Sequence, residues 1–346
     1  MPPVIQSLGR LAAAVSAACL LAAGAAHAQD KPVMFRFSSW VPAQHPLNPS
    51  LIAWGESLKK ASGGTLSATM FPAQQLGKAF DHYDMARDGI ADFSYVNPGY
   101  QPGRFPIFAA ASLPFLVANG KSGSAAVDAW YRQYAATEMK DVKFCFAFVH
   151  DPGTFHSRKK IVLPSDIKGM KIRPAHEGVG RMVTLLGGTN VQASAPEVRE
   201  ILERGVADAV TFPWGSIPLF GIEKVTKYHM DVPLYVTPFV WVMNKAKYES
   251  LSPTQKKAVD DHCTTEWAEK VASNWADFEY GGHAKLAAMP DHEVYKLTPA
   301  QVDEWRKAVA PVVDEWARDV KAKTGQDPKA VLDSLKQHLV KYKAAM

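Results

Sequence analysis

Met85-Ala86-Arg87-Asp88-Gly89-Ile90-Ala91-Asp92 and Ile201-Leu202-Glu203-Arg204-Gly205-Val206-Ala207-Asp208 state one pattern twice in different halves of the chain. In each, a polar helical run stops at a glycine, the residue best able to take the left-handed conformation that closes a helix, and an apolar strand-like run follows. Ten residues beyond each glycine stands another, beside a proline and aromatic residues: Tyr95-Val96-Asn97-Pro98-Gly99 and Phe212-Pro213-Trp214-Gly215. Open α/β sheets bind ligands at the carboxyl edges of their strands, so two equivalent edge loops predict two lobes that clamp a ligand between them.

The flanking sequence alternates strand and helix, as an α/β lobe requires. Val33 to Phe37 reads as a first strand, Ser38 to Pro42 as the loop leaving it, and Pro49 to Ala61 as a helix with Leu51, Ile52, Trp54 and Leu58 on one stripe. Thr65 to Phe71, Ile90 to Val96 and Lys143 to His150 read as further strands; Asp151-Pro152-Gly153-Thr154 is turn chemistry at which the chain crosses to the second lobe. There, Met170 to Arg173 reads as a strand, Val179 to Leu186 and Pro196 to Glu203 as helices. Val236 to Met243 reads as a strand returning to the first lobe. Three helical stretches follow, Pro253 to Met289, Pro299 to Thr324 and Pro328 to Ala345. Trp267, Val271, Trp275 and Phe278 form a helical stripe and are assigned to the core. The predicted organisation is a signal peptide over 1–28, lobe I over 29–150, lobe II over 151–235, and a returning strand with bracing helices over 236–346.

The leader assignment rests on Arg10, the small apolar run from Leu11 to Ala26, and Ala26-His27-Ala28 before Gln29, the form of a secretory signal and its cleavage site. Export without an anchor predicts a periplasmic protein. Cys145 and Cys263 match no metal or redox spacing and read as two buried free thiols, with a disulfide as the alternative that an oxidising compartment permits. The formal charge of +5 is spread without a basic block, which favours anions mildly and gives no reason to expect nucleic acid.

Enzyme signatures are missing from the sequence: there is no Gly-x-Ser-x-Gly, phosphate-cradling glycine loop, His-Glu-x-x-His or Cys-x-x-Cys. No catalysis, cofactor or metal is expected. The segment Asp166-Ile167-Lys168-Gly169-Met170-Lys171-Ile172-Arg173-Pro174 is more informative, because Pro174 forces Arg173 to be extended at a strand end, where its planar fork can meet a carboxylate.

Together with Gln75-Leu76-Gly77, Leu113-Pro114-Phe115, Gly187-Gly188-Thr189-Asn190, Glu197 and Met243-Asn244-Lys245, these motifs resemble the extracytoplasmic solute receptors of tripartite ATP-independent periplasmic (TRAP) transporters across the mature chain. The resemblance implies a two-lobed periplasmic-binding-protein fold with crossing hinge strands and a long back helix. It also implies an organic-acid ligand, delivery to integral membrane permease subunits, and pairing of Arg173 with the ligand carboxylate. A monomer is expected.

Phe212-Pro213-Trp214 stands where many relatives carry a polar residue before the proline, and Gly153-Thr154-Phe155-His156 stands where sugar-acid binders carry a second arginine. The expected ligand is therefore a monocarboxylate with an apolar or aromatic body. Arg173 is its anchor, and Trp40, Phe155, Phe212 and Trp214 are candidate walls. Asn97, Gln74, His156 and Glu197 complete the candidate binding set. The alternatives are a receptor for an ATP-driven importer or a sensor kinase, and a secreted hydrolase or lyase acting on carboxylated substrates.

Overall fold

The computed structural model describes residues 30–346; the predicted signal peptide lies outside them. β1 (Val33–Ser38) leads through the helix Leu47–Ala61 to β2 (Leu66–Phe71), and through the helix His82–Arg87 to β3 (Phe93–Val96). The same order recurs as β6 (Lys171–Arg173), the helix Glu177–Leu185, β7 (Thr189–Asn190), the helix Val198–Glu203 and β8 (Ala209–Phe212). β4 (Val142–Val149), β5 (Thr154–Ser157), β9 (Tyr228–Met230), β10 (Pro238–Asn244) and β11 (Glu293–Tyr295) complete two sheets. Their strand orders are β2-β1-β3-β10-β4 and β11-β9-β5-β8-β6-β7. Each repeat therefore builds a parallel trio, β2-β1-β3 or β7-β6-β8, flanked by antiparallel strands.

The repeated sequence has one physical meaning in both sheets. Gly89 and Gly205 sit at φ 75° and 70°, and the residue after each donates back into the helix, Ile90 to Met85 and Val206 to Ile201, both at 2.9 Å. That geometry satisfies carbonyls the helix end would otherwise leave open. Each aspartate that follows pins the centre strand of its trio: Asp92 accepts from the Arg36 N–H at 2.7 Å and Asp208 from the Lys171 N–H at 2.8 Å. Counting on from those pins, Arg173 occupies in the second sheet the place that Ser38 occupies in the first.

Both sheets belong to one compact unit, Val33–Met346. Two connections between them, from β4 to β5 and from β9 to β10, pair where Gly153 donates to the Tyr235 carbonyl at 2.8 Å. A third connection runs through the long helix Thr265–Ala287, which packs on the helices Leu47–Ala61 and Gly120–Tyr131 before the chain enters β11. At its far end the helix meets the loop after β8, and a Cβ on Gly282 would overlap the Gly215 backbone. Trp54, Trp130, Trp241 and Trp305 are fully buried, each worth roughly 2–3 kcal/mol of hydrophobic stabilisation.

Several expectations are corrected. Cys145 and Cys263 are not free thiols but form a disulfide, with Cα atoms 4.4 Å apart; sequence spacing could not reveal that β4 and the turn before the long helix are neighbours. The three C-terminal helical stretches are five helices, because Thr264 caps a new helix at Trp267 and Pro311 starts another immediately after Pro299–Val309. Gly120–Tyr131 is a helix that small and polar residues concealed; Asn119 caps it by accepting from the Ser122 N–H at 2.9 Å. Among the described residues no helix is long and apolar enough to cross a membrane.

Candidate ligand-binding site

Arg173 ends β6 at the mouth between the sheets and is 1% exposed. Its Nε donates to the Ala193 carbonyl at 2.9 Å and its Nη2 to the Tyr100 hydroxyl at 3.0 Å, while the Phe212 ring lies 5.2 Å from the guanidinium carbon. An arginine has five N–H donors, so three remain for another partner. No carboxylate among the described residues pairs with it. A buried cation held only by neutral groups, with its fork partly uncommitted, is built to receive an anion.

The cleft beside Arg173 spans about 360 Å³ of space not filled by protein atoms, part of it open to solvent. Its walls are aromatic. Trp40 stacks on Tyr95 at 4.7 Å, Phe239 packs 5.3 Å from Trp275, and Phe220 meets Phe212 at 5.5 Å. Asn97, in the loop after β3, donates to the Ala175 carbonyl at 3.3 Å and so ties the first repeat's loop to the strand end that carries Arg173.

At another part of the wall, His150 Nδ1 lies 2.6 Å from the Asp151 carbonyl and must donate to it, leaving Nε2 to accept from the Thr237 N–H at 3.1 Å and its hydroxyl at 2.9 Å. Burial pushes the His150 pKa down to about 4, and burial together with nearby His150 pushes that of His45 down to about 3, so both rings are neutral near pH 7. Behind the wall, buried Glu279 accepts from the Ser216 N–H at 2.9 Å, from Trp275 Nε1 at 2.6 Å and from the Ser216 hydroxyl. Burial lifts its pKa to about 7 against the pull of those hydrogen bonds. It fixes two lining residues without lining the cavity itself.

Of the sequence-predicted set, Arg173, Phe212, Trp40 and Asn97 line this cavity. The other five lie elsewhere. Trp214 turns behind Phe212, 4.5 Å from His283 and 5.3 Å from His156, because Gly215 must face the long helix. His156 Nε2 contacts the Phe212 carbonyl at 3.0 Å and its Nδ1 contacts His229 at 2.7 Å, bracing the wall from outside. Phe155 points into the core against Trp305 at 5.6 Å. Gln74 accepts from the Ala79 N–H at 2.8 Å in its own loop, and Glu197 accepts from the Ser194 N–H at 2.8 Å to close a helix start.

Tyr100, His45, His150, Thr237, Phe239 and Trp275 were not anticipated as lining residues. Tyr100 stands one residue past the flagged Asn97-Pro98-Gly99 and was within reach of that signal. Trp275 belongs to the helical stripe assigned to the core; it is 3% exposed, yet the same face of the helix also borders the cavity.

Two α/β lobes, linked by crossing strands and closing on a buried cation in an aromatic cavity, define a two-lobed solute receptor. Residues 37–319 match the family model described as bacterial extracellular solute-binding protein, family 7 (DctP), and the chain belongs to that family of TRAP solute-binding proteins. Among similar solved structures, a TRAP solute binding protein from Rhodoferax ferrireducens in complex with copurified benzoate is 28% identical, with a TM-score of 0.84, covering 90% of this chain and 98% of that one. A marine metagenome protein specific for aromatic acid ligands, in complex with metahydroxyphenylacetate, is 32% identical with a TM-score of 0.83, covering 90% and 99%. A third, from Bordetella bronchiseptica with bound (R)- and (S)-mandelate, is 28% identical with a TM-score of 0.83, again covering 90% and 99%.

Proposed function

We propose that this protein is a periplasmic receptor that binds a small aromatic monocarboxylate and delivers it, as a monomer, to TRAP membrane subunits. The observation that carries this reading is Arg173, a buried guanidinium with uncommitted N–H groups and, among the described residues, no carboxylate beside it. One cation favours one carboxylate. The rings of Trp40, Phe212, Phe220 and Phe239 favour a flat apolar body, which gains contact area against them at about 25 cal/mol per Å². The ligands of the three similar structures, all aromatic acids, support the same class. Trp40 and Asn97 come from the first lobe and Arg173 and Phe212 from the second, so a ligand touching both sides stabilises the closed arrangement.

Calorimetry and thermal shift across aliphatic, keto, sugar and aromatic acids test the proposal. A ligand at about a hundred times its Kd adds about 2.7 kcal/mol of stability, a readily measured rise in Tm. Aromatic monocarboxylates should give the largest rise; a preference for sugar acids or dicarboxylates overturns the reading.

A further inference from the structure

His45 lies in the loop between β1 and the helix Leu47–Ala61, lines the cavity, and is 1% exposed. Its Nδ1 accepts from the Leu47 N–H at 3.2 Å, so the neutral ring carries its proton on Nε2. That Nε2–H has no acceptor among the described residues, and it is not one of the side-chain nitrogens sealed into the protein without a partner. In a ring so fully enclosed, the space it opens onto is the cavity.

The donors of the neighbouring lining residues His150, Thr237, Ser216 and Trp275 are committed, and the unpartnered Trp40 Nε1–H is sealed away from the open space. His150 Nδ1 donates to the Asp151 carbonyl, the Thr237 hydroxyl to His150 Nε2, and both the Ser216 hydroxyl and Trp275 Nε1 to Glu279. The Thr237 and Ser216 oxygens keep capacity to accept, and both residues line the cavity. This part of the wall therefore offers one N–H donor together with hydroxyl acceptors, the complement of a hydroxyl group. Along the wall, a run of contacts links Arg173 and His45: the Phe212 ring is 5.2 Å from the Arg173 guanidinium, Phe220 5.5 Å from Phe212, and His45 6.4 Å from Phe220.

We propose that His45 is a specificity-determining residue that donates from Nε2 to a hydroxyl on the ring of the bound acid, remote from the carboxylate held by Arg173, while that hydroxyl donates to the Thr237 or Ser216 oxygen. The inference rests on the aromatic-monocarboxylate reading and narrows it to ring-hydroxylated acids. Binding an unsubstituted ring would cover the His45 N–H without pairing it, and a site built to hydrogen-bond a hydroxyl discriminates against ligands that lack one. A hydroxyl beside the carboxylate, as in mandelate, would lie near Arg173 and gain nothing from His45.

The test is calorimetry of benzoate, the hydroxybenzoate isomers, their methoxy analogues and mandelate on the wild type and on His45→Asn. The shorter amide retains an acceptor for the Leu47 N–H and lacks the distant donor. On the wild type, at least one hydroxybenzoate should bind about tenfold or more tighter than benzoate, with its methoxy analogue, which can accept but not donate, weaker than the hydroxy acid. In His45→Asn that preference should fall to within about twofold, because the hydroxy acid loses its donor and benzoate no longer covers an unpaired N–H. Equal wild-type affinity for benzoate and every hydroxybenzoate overturns the role of His45 while leaving the aromatic-acid reading standing. A preference that survives in His45→Asn does the same. Absence of binding by every acid removes both. The wild-type comparison does not depend on how the variant folds.

Discussion

The Tyr100 hydroxyl accepts from Arg173 Nη2 at 3.0 Å and from the Ala195 N–H at 2.9 Å, so one phenol from the first repeat's loop holds both the buried arginine and the backbone opposite it. Tyr100→Phe removes only that oxygen. It leaves one guanidinium N–H and one backbone N–H unpaired in a buried place, and a lost hydrogen bond to a charged group costs roughly 1.5–3 kcal/mol. Aromatic-acid affinity should fall by about tenfold or more, with a lowered Tm for the unliganded protein. Wild-type affinity in Tyr100→Phe would mean that the fork is oriented by Ala193 alone.

Arg173 itself separates binding from stability. Arg173→Met keeps much of the packing against Phe212 and removes the cation, so acid binding should weaken at least about a hundredfold, as expected when a desolvated carboxylate loses its partner. Arg173→Lys should also bind poorly, because a point charge cannot reproduce the fork. The unliganded Arg173→Met protein should melt near the wild type, since the lost hydrogen bonds are offset by removal of a buried charge that has no counter-ion among the described residues. A large drop in Tm with binding retained would make Arg173 a structural residue.

The repeat was legible because its signals are local: Gly89 and Gly205 each close a helix, and Asp92 and Asp208 each begin a strand pinned to its neighbour. Arg173 was legible for the same reason, its position being set by Pro174 and the strand before it. Trp214 does not line the cavity beside Arg173, and its direction depends on a contact between Gly215 and Gly282, residues far apart in sequence. The disulfide and His45 were hidden likewise: Cys145 meets Cys263 only through the packing of β4, and His45 meets Trp275, 4.9 Å away, only through the long helix.

The Cys145–Cys263 bond closes a loop of 118 residues in the unfolded chain. By loop-closure entropy such a link is worth roughly 4–5 kcal/mol, with measured values for native bonds commonly about 2–5. Urea unfolding with and without a strong reductant should differ by that amount, and Cys145→Ser/Cys263→Ser should match the reduced protein. Identical midpoints, or two titratable thiols in the unfolded, unreduced protein, would show the bond is not formed.

Acid should destabilise the unliganded protein, and the sign follows from two opposed sets of groups. Burial lowers the pKa of His45, His176 and His229 to about 3 and of His82 and His150 to about 4, against an ordinary value of 6.5. Below 6.5 the unfolded chain takes up protons that the folded protein refuses, so the stability these rings contribute is lost as pH falls from 6.5 toward 4. Glu279 acts the other way. Its pKa, raised from 4.5 to about 7, gives stability that is complete below 4.5 and disappears as pH rises through 7. At about pH 5.5 each of these histidines costs roughly 1 kcal/mol and Glu279 returns roughly 2; buried His156 adds to the loss, and Asp128, Glu138 and Asp151, whose carboxyls burial lifts, oppose it, leaving a net loss of several kcal/mol relative to pH 7.5. For a chain of this size that lowers Tm by roughly 10 °C. Tm measured at steps between pH 7.5 and 5.5 in one buffer series, at constant ionic strength and without ligand, checks it. A Tm that stays level or rises on acidification would overturn the predicted direction, the buried carboxyls then outweighing the buried histidines.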